Sequence, residues 1–410
     1  MNKIKQLIDW KQLFIAIIIG IVYGLSFCIN NIYSLLLLLL FIPLWLAFKN
    51  RWYALLFIFF TYLSWGWEII PAIYNYFRPE STLAHTLWLA TYVYLIYGMI
   101  ATIPWLICFP WKKKSLLSVT ISFIVLMTLL TVPPFGVLLW GNPLFAAGLL
   151  FPGFSWLGLI LCFVFIYGLI LALYFRRCRS IAITSLIILI LLSIIDYTFL
   201  YRPAKTIPHW TTFSAPFNEF AFSDILRNNI KRAIQSGNKV IILPESAVNF
   251  WSLTLKEPWI KLRETLAKNN VTLISGTYRS SKEIIFDPVS TFESKHEEGF
   301  VIVKDGKLYF HHLRQPLPMI SWNPFSEKNV EAHWLNTHVF PIKKERAAIF
   351  ICFEDFLPWL YITSMTQHPS VMITGINEWW NMPTSARKQI FVFKAWSRLI
   401  NKPTFIAQII

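Results

Sequence analysis

Cys352 and Glu245 are the residues of this chain whose types and settings point most directly to covalent chemistry. Cys352 closes the apolar run Ala347 to Phe353 and is followed by Glu354, Asp355 and a segment of helical pattern. A strand-to-helix elbow exposes a nucleophile and aims backbone N–H groups and a helix dipole at a developing oxyanion. Glu245 stands in Leu243-Pro244-Glu245-Ser246, just past a buried-type strand, where a carboxylate can take a thiol proton. The plain alternatives are a buried inert thiol and a solvated loop acid. Of the five cysteines, Cys28, Cys108, Cys162 and Cys178 lie in or beside long apolar runs, so Cys352 has no disulfide partner in its own domain.

The elements that must position these residues begin near residue 206, where short β-branched runs alternate with amphipathic helices. Helices are expected at 223–235, 257–269, 357–366 and 384–400. Strands are expected at 240–243, 271–277, 301–304, 308–310, 347–353, 370–376 and 403–410, with a hairpin turn at Asp305-Gly306. Trp-rich segments at 249–259 and 322–334 read as lid loops or as surface packing. The His and Cys residues here lack ligand spacing, so no metal and no cofactor is expected.

The part before residue 206 is different in kind. In a chain of 410 residues that is 56% hydrophobic, residues 1–205 carry 14 Lys+Arg and only 4 Asp+Glu. Seven apolar runs, at about 13–29, 33–48, 53–72, 85–110, 116–140, 157–175 and 181–200, each approach the ~20 residues that cross a bilayer. Lys3, Lys5 and Lys11, then Lys49 and Arg51, then Lys112 to Lys114, then Arg176, Arg177 and Arg179 all fall on one side of such a bundle. The positive-inside rule makes that side cytoplasmic and places everything after Arg202 outside. The first run has no small-residue cleavage site and reads as an anchor. Pro133, Pro134 and Gly136 should break the fifth run. Glu68, beside Trp65 and Trp67, is either a marker of a route through the bundle or a wet carboxylate in an aromatic belt. The excess of positive charge lies in short loops, which argues against nucleic-acid binding.

Leu243-Pro244-Glu245-Ser246-Ala247, Ile351-Cys352-Phe353-Glu354-Asp355 and Ile376-Asn377-Glu378-Trp379-Trp380 together resemble the carbon-nitrogen hydrolase (nitrilase) superfamily. With a multi-span bundle in front, the chain looks like apolipoprotein N-acyltransferase. The resemblance implies a multi-span α-helical membrane bundle (1–205) plus a C-terminal α/β nitrilase-like αββα sandwich (206–410). It implies a bacterial inner-membrane protein with that sandwich in the periplasm, with Glu245 as general base and Cys352 as the nucleophile that carries an acyl group as a thioester. The partners implied are membrane lipid and a lipoprotein or proteins of the conjugation machinery, with no cofactor. The family's catalytic lysine has no counterpart, since no lysine occurs from Leu308 to Glu327. His311 or His312 falls nearest its position; His312 is the expected stand-in, with Arg314 as a second cation. Glu354, Trp322 and Trp379 are the expected substrate or oxyanion contacts. The run Arg314-Gln315-Pro316-Leu317-Pro318 and Glu378-Trp379-Trp380 look more like the TraB-type conjugal transfer proteins, a divergent branch of the superfamily. The sequence stops at Ile410, before the final strands and last transmembrane helix of the acyltransferase, which a TraB-type ending or a truncated gene would each explain. Three functions remain open: a membrane-bound thiol acyltransferase or amidase, a catalytically degenerate protein serving conjugal transfer or envelope assembly, and a transporter, for which the spans offer few polar residues.

Overall fold

The computed structural model describes residues 9–77, 82–110, 115–138, 141–215, 223–250, 257–280, 296–318, 321–323, 329–336, 339–377 and 383–409. By contact the chain divides into two units. Met1–Pro203 with Phe356–Trp359 and Trp380–Asn401 form the first, and the remainder forms the second. The expected boundary at 205/206 thus compares with one at 203/204, and the first unit also counts two segments from the C-terminal half.

In the first unit, up to Pro203, the described α-helices are α1 (Trp10–Ser26), α2 (Phe41–Ala47, continuing the 3₁₀ helix Ile32–Leu40), α3 (Arg51–Trp65), α4 (Ile69–Phe77), α5 (Leu83–Cys108), α6 (Leu116–Thr131), α7 (Ala147–Leu150), α8 (Ser155–Tyr174) and α9 (Arg179–Ile195). Side-chain oxygens start several of them: Asp9 accepts from Gln12 N, Asn50 from Trp52 N and Ser115 from Ser118 N, each satisfying an orphan donor of the first turn. α1 lies against α3 because Gly20 and Gly24 present bare backbone to it. A Cβ at either glycine would meet the Phe57 or Thr61 carbonyl. Three described helices, Leu83–Cys108, Ser155–Tyr174 and Arg179–Leu200, are long and apolar enough to cross a membrane. A fourth span is available if Arg51–Trp65 and Ile69–Asn75, bent by 43°, act as one. The other apolar helices, Trp10–Ser26, Ile32–Ala47 and Leu116–Thr131, are shorter. The fifth run breaks as its prolines require: α6 stops at Thr131, and a 3₁₀ turn at Phe135–Val137 follows Pro133-Pro134.

Glu68 is neither wet nor alone. It is 2% exposed, and its Oε2 accepts from Lys388 Nζ at 2.9 Å, while the same ammonium donates to the Trp65 carbonyl at 2.8 Å. Lys388 belongs to the amphipathic helix Pro383–Ile400, labelled α13 below, whose backbone comes so close to Gly148 that a Cβ there would collide with Ala395 O.

The second unit holds two sheets. One has the order β1 (Trp210–Thr212), β3 (Val240–Ile242), β5 (Thr272–Ser280), β6 (His296–Lys304), β7 (Lys307–His312), with β4 (Val248–Phe250) on β5. The other has the order β2 (Ser214–Ala215), β11 (Thr404–Ile409), β10 (Val371–Asn377), β9 (Glu345–Ile351), β8 (Val339–Ile342). Successive side chains point to opposite faces, and central strands such as β3 and β10 are buried on both. Val240, Ile242, Ile274, Phe300 and Ile302 meet Ile349, Ile351, Val371, Ile373 and Ala407 in a core between the sheets. Ile241, Leu273, Val301 and Val303 face the other way, onto α10 (Ser223–Gln235) and α11 (Glu257–Lys268) through Ile230, Leu262 and Leu266. Outside the second sheet, Tyr361 of α12 (Pro358–Met365) stacks on Phe350 at 4.3 Å. The two-sheet sandwich with outer helices is the architecture the resemblance implies. Asp305 (φ 52°) and Gly306 (φ 72°) make the expected tight hairpin between β6 and β7.

Candidate active site

β3 and β9 belong to different sheets, yet the loops that leave their C-terminal ends meet. Glu245 follows β3 through Leu243 and Pro244, and the chain can pass so near β5 only because residue 276 is glycine: a Cβ there would overlap Glu245 Cα. Gly375 on β10 does the same service from the facing sheet, where a Cβ would strike the Phe300 ring and approach Glu245 N. Cys352 follows β9 directly with φ 47°, a left-handed conformation that non-glycine residues avoid, and opens the 3₁₀ turn Cys352–Phe356.

The Glu245 carboxylate is 8% exposed. Its Oε2 accepts from Asn377 N, at the end of β10, at 3.0 Å. It also accepts from the Cys352 thiol and shares a hydrogen bond with the carboxyl of Glu298. Burial first, and then the charge and hydrogen bond of Glu298, push the Glu245 carboxyl well above the usual carboxylate range; the thiol and Asn377 N act in the opposite sense. Two acids and a thiol therefore meet in one hydrogen-bonded cluster. A carboxylate held in this state is a stronger base than a solvated glutamate once it ionises, and the protonated partner can donate to a leaving group.

The remaining expected site residues fall differently. The pair Gly299↔His312 and the neighbouring pair Phe300↔His311 fix the faces of the β6–β7 ribbon. Phe300 points into the core between the sheets, so His311 and Glu298 share that inner face, whereas His312 and Glu297 lie on the outer one. His312 is thus on the wrong side of the sheet to stand beside Cys352; its Nδ1 is 3.7 Å from Glu297 Oε2. Arg314 is fully buried but engaged elsewhere. Its Nε and one terminal nitrogen grip Glu354 at 3.1 and 2.7 Å, and that nitrogen also donates to Ile349 O at 2.7 Å. Glu354 accepts further from the backbone N–H groups of Arg314 (2.7 Å), Gln315 (3.3 Å) and Ile351 (3.1 Å). Those acceptor bonds leave it no part as an oxyanion donor; the Arg314–Glu354 pair instead ties the chain at 314–315 to the strand end that carries Cys352. Trp322 packs on Trp334 at 6.0 Å, and Trp334 Nε1 donates to Gln315 Oε1 at 2.7 Å. Trp379 lies outside the described residues, as do parts of both Trp-rich segments.

Beneath the elbow, Asp355 accepts from Thr374 Oγ1 at 2.8 Å and from Tyr361 OH at 3.3 Å. Burial raises its carboxyl well above the ordinary range, and the Tyr361 hydroxyl is raised likewise. Sequence reasoning missed Glu298. Its signal was the adjacent pair Glu297-Glu298 at the head of an apolar alternation, where one of the two acids must face inward.

No family profile matches the chain. It is 26% identical over 308 residues to the probable conjugal transfer protein TraB of Sinorhizobium fredii, covering 72% of this chain and 74% of that one. It is 27% identical over 299 residues to the conjugal transfer protein TraB of Agrobacterium fabrum, covering 70% and 66%. This chain is TraB-like in sequence. Among solved structures, the carbon-nitrogen hydrolase of Helicobacter pylori aligns at 11% identity with a TM-score of 0.36, covering 49% of this chain and 72% of that one. A mutant amidase from Nesterenkonia sp., carrying an acrylamide adduct at its active-site cysteine, aligns at 9% identity with a TM-score of 0.28, covering 41% and 65%. The TraB likeness agrees with the resemblance carried by Arg314-Gln315-Pro316-Leu317-Pro318 and Glu378-Trp379-Trp380.

Proposed function

We propose that this chain is a membrane-bound thiol acyltransferase or amidase serving conjugal transfer, with Cys352 as nucleophile and Glu245 as its base. The observation that carries the reading is the Cys352 thiol, held in a left-handed elbow and donating to a buried Glu245 carboxylate. Sγ attacks the carbonyl carbon of an ester or amide, and the thiol proton passes to Glu245. Collapse of the tetrahedral intermediate breaks the C–O or C–N bond, the leaving group takes that proton, and the acyl group stays on Sγ as a thioester. An amine or water then attacks the thioester, giving up its proton to Glu245, and frees the thiol. The resemblance supports phospholipid as acyl donor and an N-terminal amine as acceptor, and the TraB likeness supports a setting in conjugation.

A second reading is favoured by Glu298. With an acid beside Glu245 and no described lysine or arginine serving Cys352, the fold would act as an interaction module of the conjugation machinery. Intact-protein mass spectrometry after incubation with phospholipid vesicles separates the two. The enzyme reading expects an acyl adduct that is lost in Cys352→Ser and in Glu245→Gln. No adduct at any pH up to 9 would leave the interaction module.

The Lys/Arg pattern of the first unit supports residues 206–410 facing the periplasm. Protease added to spheroplasts should digest them while the membrane is intact. Protection until detergent is added would reverse the orientation.

A further inference from the structure

The sheet face opposite the thiol carries a second cluster. Glu297 of β6 and His312 of β7 lie diagonally across one strand pair, and His333 comes to them from the segment 329–336. One ligand atom from each of the three lies within 4.8 Å of the others. His312 Nδ1 is 3.7 Å from Glu297 Oε2, His333 Nε2 is 3.9 Å from Glu297 Oε1, and Glu331 Oε2 is 3.9 Å from His333 Nε2. The two imidazole rings are 4.4 Å apart at 45°.

Those separations are too long for hydrogen bonds. They suit donors around one ion: zinc takes imidazole nitrogen and carboxylate oxygen at ~2.0–2.2 Å, which sets tetrahedral neighbours about 3.4 Å apart. The two Glu297–His separations exceed that spacing by a few tenths of an ångström and the widest in the cluster, up to 4.8 Å, by as much as about 1.4 Å, so an ion would draw the two imidazoles and the carboxylate together by side-chain rotation. The donor chemistry agrees as well. Two neutral imidazoles and a carboxylate form a set used for zinc and its neighbours in the first transition row, and the partly buried setting lets an ion enter while shielding it.

We propose that Glu297, His312 and His333 bind one divalent transition-metal ion of the zinc type, with Glu331 in reach as a fourth donor. The ion would clamp the segment 329–336 onto the β6–β7 ribbon. That clamp has a consequence for the thiol, because His333 N donates to the Arg314 carbonyl at 3.1 Å and Arg314 holds Glu354 beneath the Cys352 elbow. The site is therefore structural, distinct from the Glu245–Cys352 cluster, and stands whether or not that cluster is catalytic.

The test is cobalt titration of the tag-free full chain in detergent after chelator dialysis, followed by displacement with zinc. One cobalt per chain is expected, with visible absorption of a four-coordinate nitrogen–oxygen site and a zinc-dependent rise in melting temperature. His312→Gln and His333→Gln should each weaken binding by more than the roughly 10- to 100-fold that loss of an outer-shell partner costs. His333→Gln alters a loop residue and serves as the folded control by circular dichroism. Cys352→Ser should leave cobalt affinity unchanged. Absence of stoichiometric cobalt in the wild-type chain overturns the site, as does binding that survives both histidine changes or disappears with Cys352→Ser.

Discussion

Arg314→Met should destabilise the second unit by ~3–5 kcal/mol, the typical result of removing one partner from a buried ion pair. The cost comes from what is left behind. Glu354, 0% exposed, would stay buried without the guanidinium that offsets its desolvation. Neutralising both partners does not repair the damage here, because Glu354 also accepts from the backbone N–H groups of Arg314, Gln315 and Ile351. Arg314→Met with Glu354→Leu would orphan those three donors at ~1–3 kcal/mol each, so the double variant should be no more stable than the single one. Arg314→Lys keeps the charge but not the fork, and should fall between wild type and Arg314→Met. Urea unfolding of the full chain in detergent measures all three. A loss below about 1 kcal/mol for Arg314→Met would mean that water reaches Glu354 and that the pair is not the anchor of the elbow.

That pair illustrates what the sequence makes legible. Strands of near-continuous apolar residues, such as Ala347–Ile351 and Val371–Ile376, announce themselves because both faces are buried, and the acids and thiol that follow them are drawn to one end of the sandwich by parallel pairing. Glu245 and Cys352 were readable for that reason. Faces within a hairpin were not. One residue of offset exchanges inside for outside, so adjacent His311 and His312, or Glu297 and Glu298, cannot be assigned until the register is known. Partners from distant segments were also invisible. Lys388 meets Glu68 from 320 positions away, and His333 reaches Glu297 and His312 from a segment that reads only as Trp-rich loop. Arg314 looked like a free cation near the thiol because nothing local in Arg314-Gln315-Pro316 shows that Glu354 will claim it.

Glu298→Lys should accelerate the chemistry of Cys352, whereas His312→Lys should not. The expectation rests on the faces of β6. Residue 298 shares a buried cluster with Glu245 and, through it, with the thiol, while residue 312 lies across the sheet. Burial holds Glu245 above the usual carboxylate range and Glu298 adds to it, so an ammonium at 298 removes that second contribution and lets Glu245 ionise at lower pH. The same cation favours a thiolate and stabilises a tetrahedral oxyanion. One oxyanion donor is worth ~10²–10³ in rate, which sets the expected gain in acylation of Cys352. Glu298→Gln removes only the acid–acid contact and should give a smaller gain, confined to a shift of the pH–rate profile to lower pH. The sign follows from the cause: with Glu245 held up, the wild-type rate rises with pH through a range above that of an ordinary glutamate, and relieving the pair moves that rise downward. Iodoacetamide labelling and thioester formation, followed by mass spectrometry across pH 5 to 9, read both effects. Equal rates for wild type, Glu298→Lys and Glu298→Gln would mean that the Glu245–Glu298 contact does not govern the thiol, and the base would have to be sought elsewhere.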